Sequence, residues 1–506
     1  MIKDIKEYLK KSKLSICISI IFLFAAYGLM LISSSFSIDS EYYISHHAYQ
    51  WWNNLGRWGL TLVNKVLYLD NLVLFFNDYF TILNLILFIL VMGYLLYLYI
   101  HKKYEKIYLK VQFIFPIIFL TSPIFAEQFN FSMQNVAVSL GMLLIPFLFV
   151  VYYHVEKLDN KYKYPIYVLG IGITTIIFGI YQSLIVFYIA IVVILYLLKC
   201  LNEGNSNFKF LITEISRFLL ATIIYYIVCK LTSDGNGYLQ TGYSNGLQAV
   251  IRNLYYIVLS MLKNETIFYN VGYTIALIIL LYIFIKNIID KNINVGFFLS
   301  TIGLLLMPYY IMIATGVDQL KRTQFNYPLF IGFIFLLGTL MLLNDKRRLV
   351  KVIGLLCLSL SLGIAYRQAL LTATLFQSHE ARYNEDIRNV QKIESLIESK
   401  DWYEKNKSYK LVLLGRLEPN VKTEYLNGEI IGRSFFEFDY EYYYGVTDRG
   451  VIFINILGNN YRRANRDEFE AAKKYVIEEN MDIFPDVDSV QLVDDDTIII
   501  RLSEEM

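Results

Sequence analysis

Long apolar runs alternate with short polar segments along the chain from Leu14 to Tyr366. Runs of about 20 apolar residues are long enough to cross a bilayer as a helix. The first run, Leu14 to about Phe36, is too long for a signal-peptide core and predicts a retained first helix. Ten further spans are predicted near residues 81–100, 111–127, 133–153, 165–181, 183–199, 210–230, 267–286, 294–314, 325–343 and 350–366. The pattern predicts an α-helical polytopic membrane protein with about eleven transmembrane helices.

The least regular apolar stretch runs from Pro165 to Leu198. It is too long for one untilted span, and the polar pair Tyr181–Gln182 lies at its middle. Two readings follow: two short spans, or one span and a re-entrant piece.

Two long segments between spans, Ser37–Tyr79 and Thr232–Glu265, carry apolar residues at helical spacing. Such stripes predict amphipathic helices, and tryptophans on the apolar face are typical of the membrane interface. The first stripe comprises Trp51, Leu55, Trp58, Leu62, Val66 and Leu69. The second comprises Leu247, Ile251, Leu254, Val258 and Met261. We expect both helices to lie on the outer leaflet.

From Arg367 onward charged residues are dense, and the periodicity changes. We predict a transmembrane domain over residues 1–366 and a small α/β domain over residues 367–506. In the second domain we predict a helix at 378–402, a strand at 409–414, a helix at 466–481 and a hairpin of 489–493 with 497–502.

Composition supports a membrane protein. Hydrophobic types make up 56% of the 506 residues and charged types 18%, against about 25% charged in soluble chains. The net charge is +2 without a basic patch, so no nucleic-acid partner is indicated. The four cysteines lie in or beside apolar runs and form no CxxC pair, and His46 and His47 are adjacent, so no disulfide framework and no metal site are predicted.

Lysine and arginine are concentrated in alternate short loops, including the segment before the first span. Positive loops face the cytoplasm, so the N-terminus is predicted to be cytoplasmic. An odd number of spans then makes the C-terminal domain extracytoplasmic. We expect a multi-pass protein of the bacterial cytoplasmic membrane, surrounded by membrane lipids.

Two carboxylates, Asp39 and Glu41, directly follow the first span. A carboxylate there suits a general base that takes a proton from an incoming hydroxyl, with the second as its helper. The competing reading is that Asp39 caps the helix that follows.

Arg57, with Asn54 nearby, is the second candidate. Arginine binds phosphate through a planar fork of donors. The competing reading is interfacial snorkelling.

Polar residues at the ends of later spans extend the set of candidates. They are Glu127, Gln128, Tyr181, Gln182, Asp318, Lys321 and Arg322. Amides and carboxylates suit sugar hydroxyls, and the basic pair 321–322 suits a lipid phosphate. The competing readings are loop residues, hydrogen bonds between helices and contact with bulk anionic lipid.

Several short motifs resemble the bacterial GtrII-type glucosyltransferases. They are Ser37-Ile38-Asp39-Ser40-Glu41, the stretch Trp52 to Trp58, Pro123 with Glu127-Gln128-Phe129, Tyr181-Gln182-Ser183, and Phe484-Pro485 with Thr497-Ile498-Ile499-Ile500. The resemblance covers most of the chain, although each motif is short.

The resemblance implies a GT-C fold and transfer of a hexose, often glucose, from a polyprenyl phosphate to a surface polysaccharide or teichoic-acid-like polymer, with inversion. Carried over, Asp39 is the catalytic carboxylate and Glu41 the next candidate. The family often has two adjacent acidic residues, whereas Ser40 separates them here, so the choice between the two stays open. Arg57, Lys321 and Arg322 are then expected at the donor phosphate.

Asn54, Glu127, Gln128, Tyr181, Gln182 and Asp318 are then expected to bind the sugar or acceptor. No cofactor is expected, and whether a divalent metal assists is left open. A functional link to a lipid-sugar synthase and a flippase is also implied. The competing functions are a transporter or flippase for lipid-linked sugars and a sensor, which many spans and the absence of an obvious internal repeat disfavour.

Overall fold

A computed structural model describes residues 2–46, 49–69, 72–100, 102–234, 242–263, 272–291, 293–420, 425–441 and 444–505. Within these ranges, nine helical segments are long and apolar enough to cross a membrane: Lys3–Leu31, Leu74–Tyr99, Asn135–Val155, Asn160–Ile180, Ser183–Glu203, Phe208–Thr232, Val295–Thr315, Asn326–Leu343 and Arg348–Glu398. A shorter apolar helix covers Tyr273–Ile289. The protein is therefore a polytopic helical membrane protein, and the count of eleven spans stays a prediction.

The chain divides into two compact units. The helical unit consists of Met1–Leu31, Tyr49–Phe129 and Gln134–Ala373. The α/β unit consists of Ile32–Ala48, Asn130–Met133 and Thr374–Met506. The 51-residue helix Arg348–Glu398 contributes to both units, and the predicted boundary at residue 366 falls inside it.

Two apolar runs are divided into shorter helices, one as predicted and one not. The run at 165–198 is divided into Asn160–Ile180 and Ser183–Glu203, with Tyr181 in an extended conformation. Each of the two helices is long and apolar enough to cross a membrane, as the reading of two spans requires. The run predicted as one span at 111–127 is instead divided into the short helices Glu105–Val111, Ile114–Leu120 and Pro123–Phe129. Proline lacks an N–H and favours the first position of a new helix, which explains the last of these breaks.

The two amphipathic stripes also form helices. The second stripe is the helix Leu247–Lys263, as predicted. The prediction of one continuous helix for the first stripe is wrong, because the chain forms Tyr49–Asn54 and Trp58–Val66 with a turn between them. Gly56 in that turn has φ +73°, a left-handed conformation that ends a helix.

The α/β unit contains a four-stranded sheet of order β2-β1-β4-β3. Its strands are β1 (Lys410–Leu414), β2 (Arg462–Arg463), β3 (Val490–Leu492) and β4 (Thr497–Arg501). β1 is parallel to β2 and β4, whereas β3 and β4 form the predicted antiparallel hairpin.

Along the chain, the helices of this unit precede the strands or lie between them. They are Ser40–His46, the later part of Arg348–Glu398, Thr447–Ile456 and Arg466–Glu478. The last one begins with a capping box between Asn465 and Glu468, and its apolar face is buried with β1 and β4. This agrees with the predicted helix at 466–481.

Two helices of the helical unit approach each other at glycines. A Cβ on Gly59 would lie 2.4 Å from the carbonyl oxygen of Ile176, and a Cβ on Gly179 would lie 2.7 Å from the Trp58 ring. The helices Trp58–Val66 and Asn160–Ile180 therefore meet backbone to backbone. This approach fixes the turn at Gly56–Arg57 beside the end of the Asn160–Ile180 helix.

We expect Gly179→Ala to lower the melting temperature of the protein in detergent. The added methyl must displace a ring and a backbone, and such overpacking costs about 1–3 kcal/mol. Gly172→Ala is the matched control, because it lies in the same helix with nothing within 4 Å of the added Cβ. Equal melting temperatures for the two variants would contradict the close approach.

Candidate functional site

The α/β unit holds a buried arginine surrounded by carboxylates. Arg449 donates through Nη2 to Oδ1 of Asp39 at 2.9 Å, through Nη1 to Oε1 of Glu41, and through Nε to Oδ2 of Asp439 at 2.5 Å. Its guanidinium also lies 5.0 Å from the centre of the Tyr42 ring. Both carboxylates predicted from the sequence are thus brought to one cation.

Aromatic packing anchors the segment that carries these carboxylates. Phe36 lies three residues before Asp39, and its ring contacts those of Tyr383, Phe435 and Phe453 at centroid distances of 5.2, 5.6 and 5.9 Å. Burial of several aromatic rings is a large apolar contribution to stability. The segment is therefore held by the α/β unit's own core.

Hydrogen bonds to the sheet hold the helix that carries Arg449. Arg449 lies in the first turn of Thr447–Ile456, and the Thr447 hydroxyl accepts from the N–H of Leu413 and donates to its carbonyl, both at 2.9 Å. Leu413 belongs to the central strand β1. A side chain on a helix tied to a strand is well placed to hold flexible carboxylates in one geometry.

Two of the three carboxylate residues have left-handed backbones. Asp39 has φ 76° and Asp439 has φ 67°. Aspartate tolerates this region better than most residues, yet a non-glycine residue there costs about 1–3 kcal/mol. Such conformations concentrate at functional sites, where the surrounding contacts enforce them.

The two predicted carboxylates differ in exposure. The Glu41 side chain is fully buried, and its Oε2 has no hydrogen-bond partner among the described residues. The Asp39 side chain keeps 21% of its surface exposed. Since a general base must reach the hydroxyl it deprotonates, the geometry favours Asp39.

Burial also changes the proton affinity of Glu41. Burial raises the pKa of its carboxyl to about 7, against the opposing effect of Arg449 and with a further increase from Asp39. If all four groups are ionised, one positive charge faces three negative charges, a sum of −2. The partly protonated state of Glu41 near neutral pH reduces that excess.

In the helical unit, the structure brings together Arg57, Tyr181 and Gln182. The Arg57 guanidinium lies 4.7 Å from the centre of the Tyr181 ring, and its Nε is 3.4 Å from Oε1 of Gln182. Nε2 of Gln182 donates to the carbonyl of Leu55 at 2.5 Å. An arginine held by an amide and an aromatic face presents a planar, charged guanidinium, which suits an anion.

A second cluster of predicted residues packs next to this one. The helix Pro123–Phe129, which carries Glu127 and Gln128, contacts the turn Lys321–Thr323. Phe325, directly after that turn, stacks on Tyr181 with 6.0 Å between ring centres. Glu127 and Gln128 are fully buried, and both amide atoms of Gln128 lack a partner among the described residues. Lys321 and Arg322 are half-buried.

Two predicted residues have other surroundings. Asn54 accepts from the Gln50 side chain at 3.2 Å and from the backbone N–H of Asp234 at 2.9 Å. Asp318 lines a separate cavity of about 530 Å³ with Asn253, Tyr256 and Lys263. These contacts do not join either residue to the Arg57 cluster.

Carboxylates spaced for a cation occur elsewhere in the α/β unit. Over the described ranges, the group of three that fits a metal ion is Asp482, Asp486 and Asp488, all exposed. At Asp39 and Glu41, the position next to both carboxylates is taken by the Arg449 guanidinium. His47 lies outside the described residues.

Sequence reasoning missed Arg449 and Asp439. It assigned no helix between the strand at 409–414 and the helix at 466–481, and the pair Arg449–Glu41 is separated by 408 residues. One local signal was present: Arg449 opens an apolar run, Val451–Ile454, that is entirely buried. An arginine at the start of a buried helix needs a carboxylate partner.

The comparison with known families agrees with this membrane architecture. A family model described as Glucosyl transferase GtrII matches residues 28–339, more than half of the chain. The chain belongs to this family and is a glycosyltransferase, which confirms the predicted resemblance; the motif at residues 484–500 lies outside the matched residues. Neither a curated protein nor a solved structure matches the chain.

The raised pKa of Glu41 predicts a pH dependence of stability. The folded protein holds this proton up to about pH 7, whereas the carboxyl's ordinary pKa is 4.5. The contribution of protonated Glu41 to the free energy of unfolding is therefore complete below pH 4.5 and is lost as the pH rises through about 7. The shift corresponds to about 3 kcal/mol.

We expect the melting temperature of the wild-type protein to fall between pH 5 and pH 8, and we expect Glu41→Gln to flatten that fall, because the amide cannot titrate. Glu470→Gln, at an exposed position of the same unit, should keep the wild-type slope. A wild-type slope in Glu41→Gln would show that another group titrates.

Proposed function

We propose that the protein transfers a glucosyl group from a polyprenyl phosphate to a polysaccharide or teichoic-acid-like polymer on the outer face of the bacterial cytoplasmic membrane, inverting the anomeric carbon. The GT-C fold, the cytoplasmic N-terminus and the extracytoplasmic α/β unit are parts of this proposal. Membership of the GtrII family supports the glucosyl transfer. The observation that carries the mechanism is the partly exposed Asp39 carboxylate held by Arg449.

Asp39 is the proposed general base. The acceptor oxygen attacks the anomeric carbon while the bond from that carbon to the phosphate oxygen breaks, and the hydroxyl proton passes to Asp39. Nη2 of Arg449, at 2.9 Å from Oδ1, holds the Asp39 carboxylate in position to accept the proton. Since the proton becomes acidic only as the new bond forms, Asp39 need not be strongly basic beforehand.

Glu41 has a different proposed role. Its fully buried carboxylate binds Nη1 of Arg449. It therefore orients the guanidinium, which in turn orients Asp39. Glu41 is a positioning residue in this scheme. Asp39 rather than Glu41 is assigned as the base because its side chain is partly exposed.

The proposed donor site lies in the helical unit. Arg57, Lys321 and Arg322 neutralise the charge that grows on the departing phosphate, which is the largest contribution that fixed cations make to such a reaction. Gln128 and Gln182 hydrogen bond sugar hydroxyls. The strongest support for a polar ligand there is the buried amide of Gln128, which has no partner among the residues that the structure describes. Glu127 and Tyr181 are further proposed contacts.

We expect Asp39→Asn to lower kcat by about 10²–10⁴-fold, because the amide cannot accept the proton. The assay is transfer of labelled glucose from synthetic polyprenyl-phosphate glucose by the purified full-length protein. Glu41→Gln should lower kcat less, since it disturbs only the orientation of Arg449. Asp495→Asn, an exposed aspartate of the same unit, is the control. Full activity in Asp39→Asn would refute the base assignment, and donor flipping in liposomes without transfer would favour a transporter.

Arg57→Lys tests the phosphate site. Lysine keeps the charge but loses the planar fork, so we expect KM for the lipid-linked donor to rise about tenfold. Arg252→Lys is the control, because Arg252 is exposed on the helix Leu247–Lys263. An unchanged donor KM in Arg57→Lys would mean that Arg57 only positions Tyr181 and Gln182.

A further inference from the structure

The α/β unit contains a groove of about 940 Å³ that has no role in the reaction proposed for Asp39. It runs between the end of the helix Ser40–His46, the helix Thr447–Ile456 and the segment that includes β2. Among the described strands, β2 lies at the edge of the sheet and pairs only with β1. Such a volume is at the upper end for sites that enclose a small ligand and suits an extended one.

The groove adjoins the carboxylate site through consecutive residues of one helix. Arg449 binds Asp39 and Glu41, and its neighbour Asp448 lines the groove. Tyr42 connects the two, because its hydroxyl donates to Oδ2 of Asp448 at 2.5 Å while its ring lies beside the Arg449 guanidinium. The groove is therefore linked to the Asp39–Arg449 pair through Asp448 and Tyr42.

The lining combines exposed polar groups with small apolar surfaces. Arg463 donates to Oδ1 of Asp448 at 2.6 Å, and Arg462 pairs with Asp496, so both guanidiniums are held in place although their side chains are more than 40% exposed. The Tyr444 ring is 37% exposed. The apolar part consists of three isoleucines and one alanine.

This chemistry matches a glycan. Planar arginine, asparagine and aspartate groups hydrogen bond adjacent hydroxyls, and a tyrosine offers an apolar face together with a polar edge. A lipid chain would require the opposite lining, as in the cavity of about 340 Å³ in the helical unit, which is walled by Leu277, Leu281, Phe284 and other apolar residues. The polar groove is unsuited to acyl or prenyl chains.

We propose that the groove binds the acceptor glycan, holding several of its sugar units so that one hydroxyl reaches Asp39. This inference rests on the proposed transferase function and deepens it by assigning acceptor recognition to the α/β unit. Tyr444 and Arg463 are the proposed specificity-determining contacts. The groove thereby gives the α/β unit a direct part in substrate choice.

The test uses purified full-length protein, synthetic polyprenyl-phosphate glucose and surface polysaccharide prepared from a host strain that lacks this gene. In Tyr444→Ala and in Arg463→Ala we expect KM for the polysaccharide to rise about tenfold, with a smaller change in kcat. Arg388→Ala is the control for Arg463→Ala, because Arg388 is an exposed arginine of the same unit outside the groove. Melting curves exclude loss of folding.

Direct binding of the same polysaccharide, measured without donor, separates the two proposals. Binding by the wild-type protein that is lost in both variants supports the groove even if no transfer occurs, which would then count against the transferase function alone. Transfer by the wild-type protein with unchanged polysaccharide KM and binding in both variants overturns the groove and leaves the function intact. Absence of both transfer and binding overturns both.

Discussion

The ion cluster at Arg449 is the constraint on which the candidate active site depends. A buried guanidinium is tolerated only when carboxylates surround it, and removing one partner of such a pair costs several kcal/mol. Here the partners come from the segment Ile32–Ala48 and from the C-terminal part of the chain, so the cluster joins two distant stretches into one α/β unit. The proposed base, Asp39, is positioned by that unit's own core.

The helical unit follows a different principle, which is close contact of backbones. The glycine contact between Trp58–Val66 and Asn160–Ile180 allows the turn at Arg57 to lie beside the break at Tyr181–Gln182. The polar groups at these two helix ends, including Arg57 and Gln182, are thereby brought together. Unpaired polar groups are costly within a membrane. Hydrogen bonds to a bound substrate can offset the free-energy cost of burying these polar groups.

The sequence predicted a large part of this arrangement. The apolar runs, the β3–β4 hairpin and the break at Tyr181–Gln182 followed from periodicity and length, which are local properties. The break at Gly56 was missed, because an unbroken apolar stripe concealed a glycine in a left-handed conformation. Most candidate residues are polar groups that lie at the end of an apolar run, a position that the sequence shows directly.

By itself the sequence determined the membrane class, the α/β character of the C-terminal part and the identity of Asp39, Glu41 and Arg57 as candidates. These conclusions depend on local hydrophobicity, charge and spacing. Only the tertiary structure decided that Arg449 and Asp439 complete the carboxylate site and that Asp39, not Glu41, is exposed. The reason is physical: pairing between charges some 400 residues apart, and the burial of one carboxylate beside an exposed one, exist only once the chain is folded.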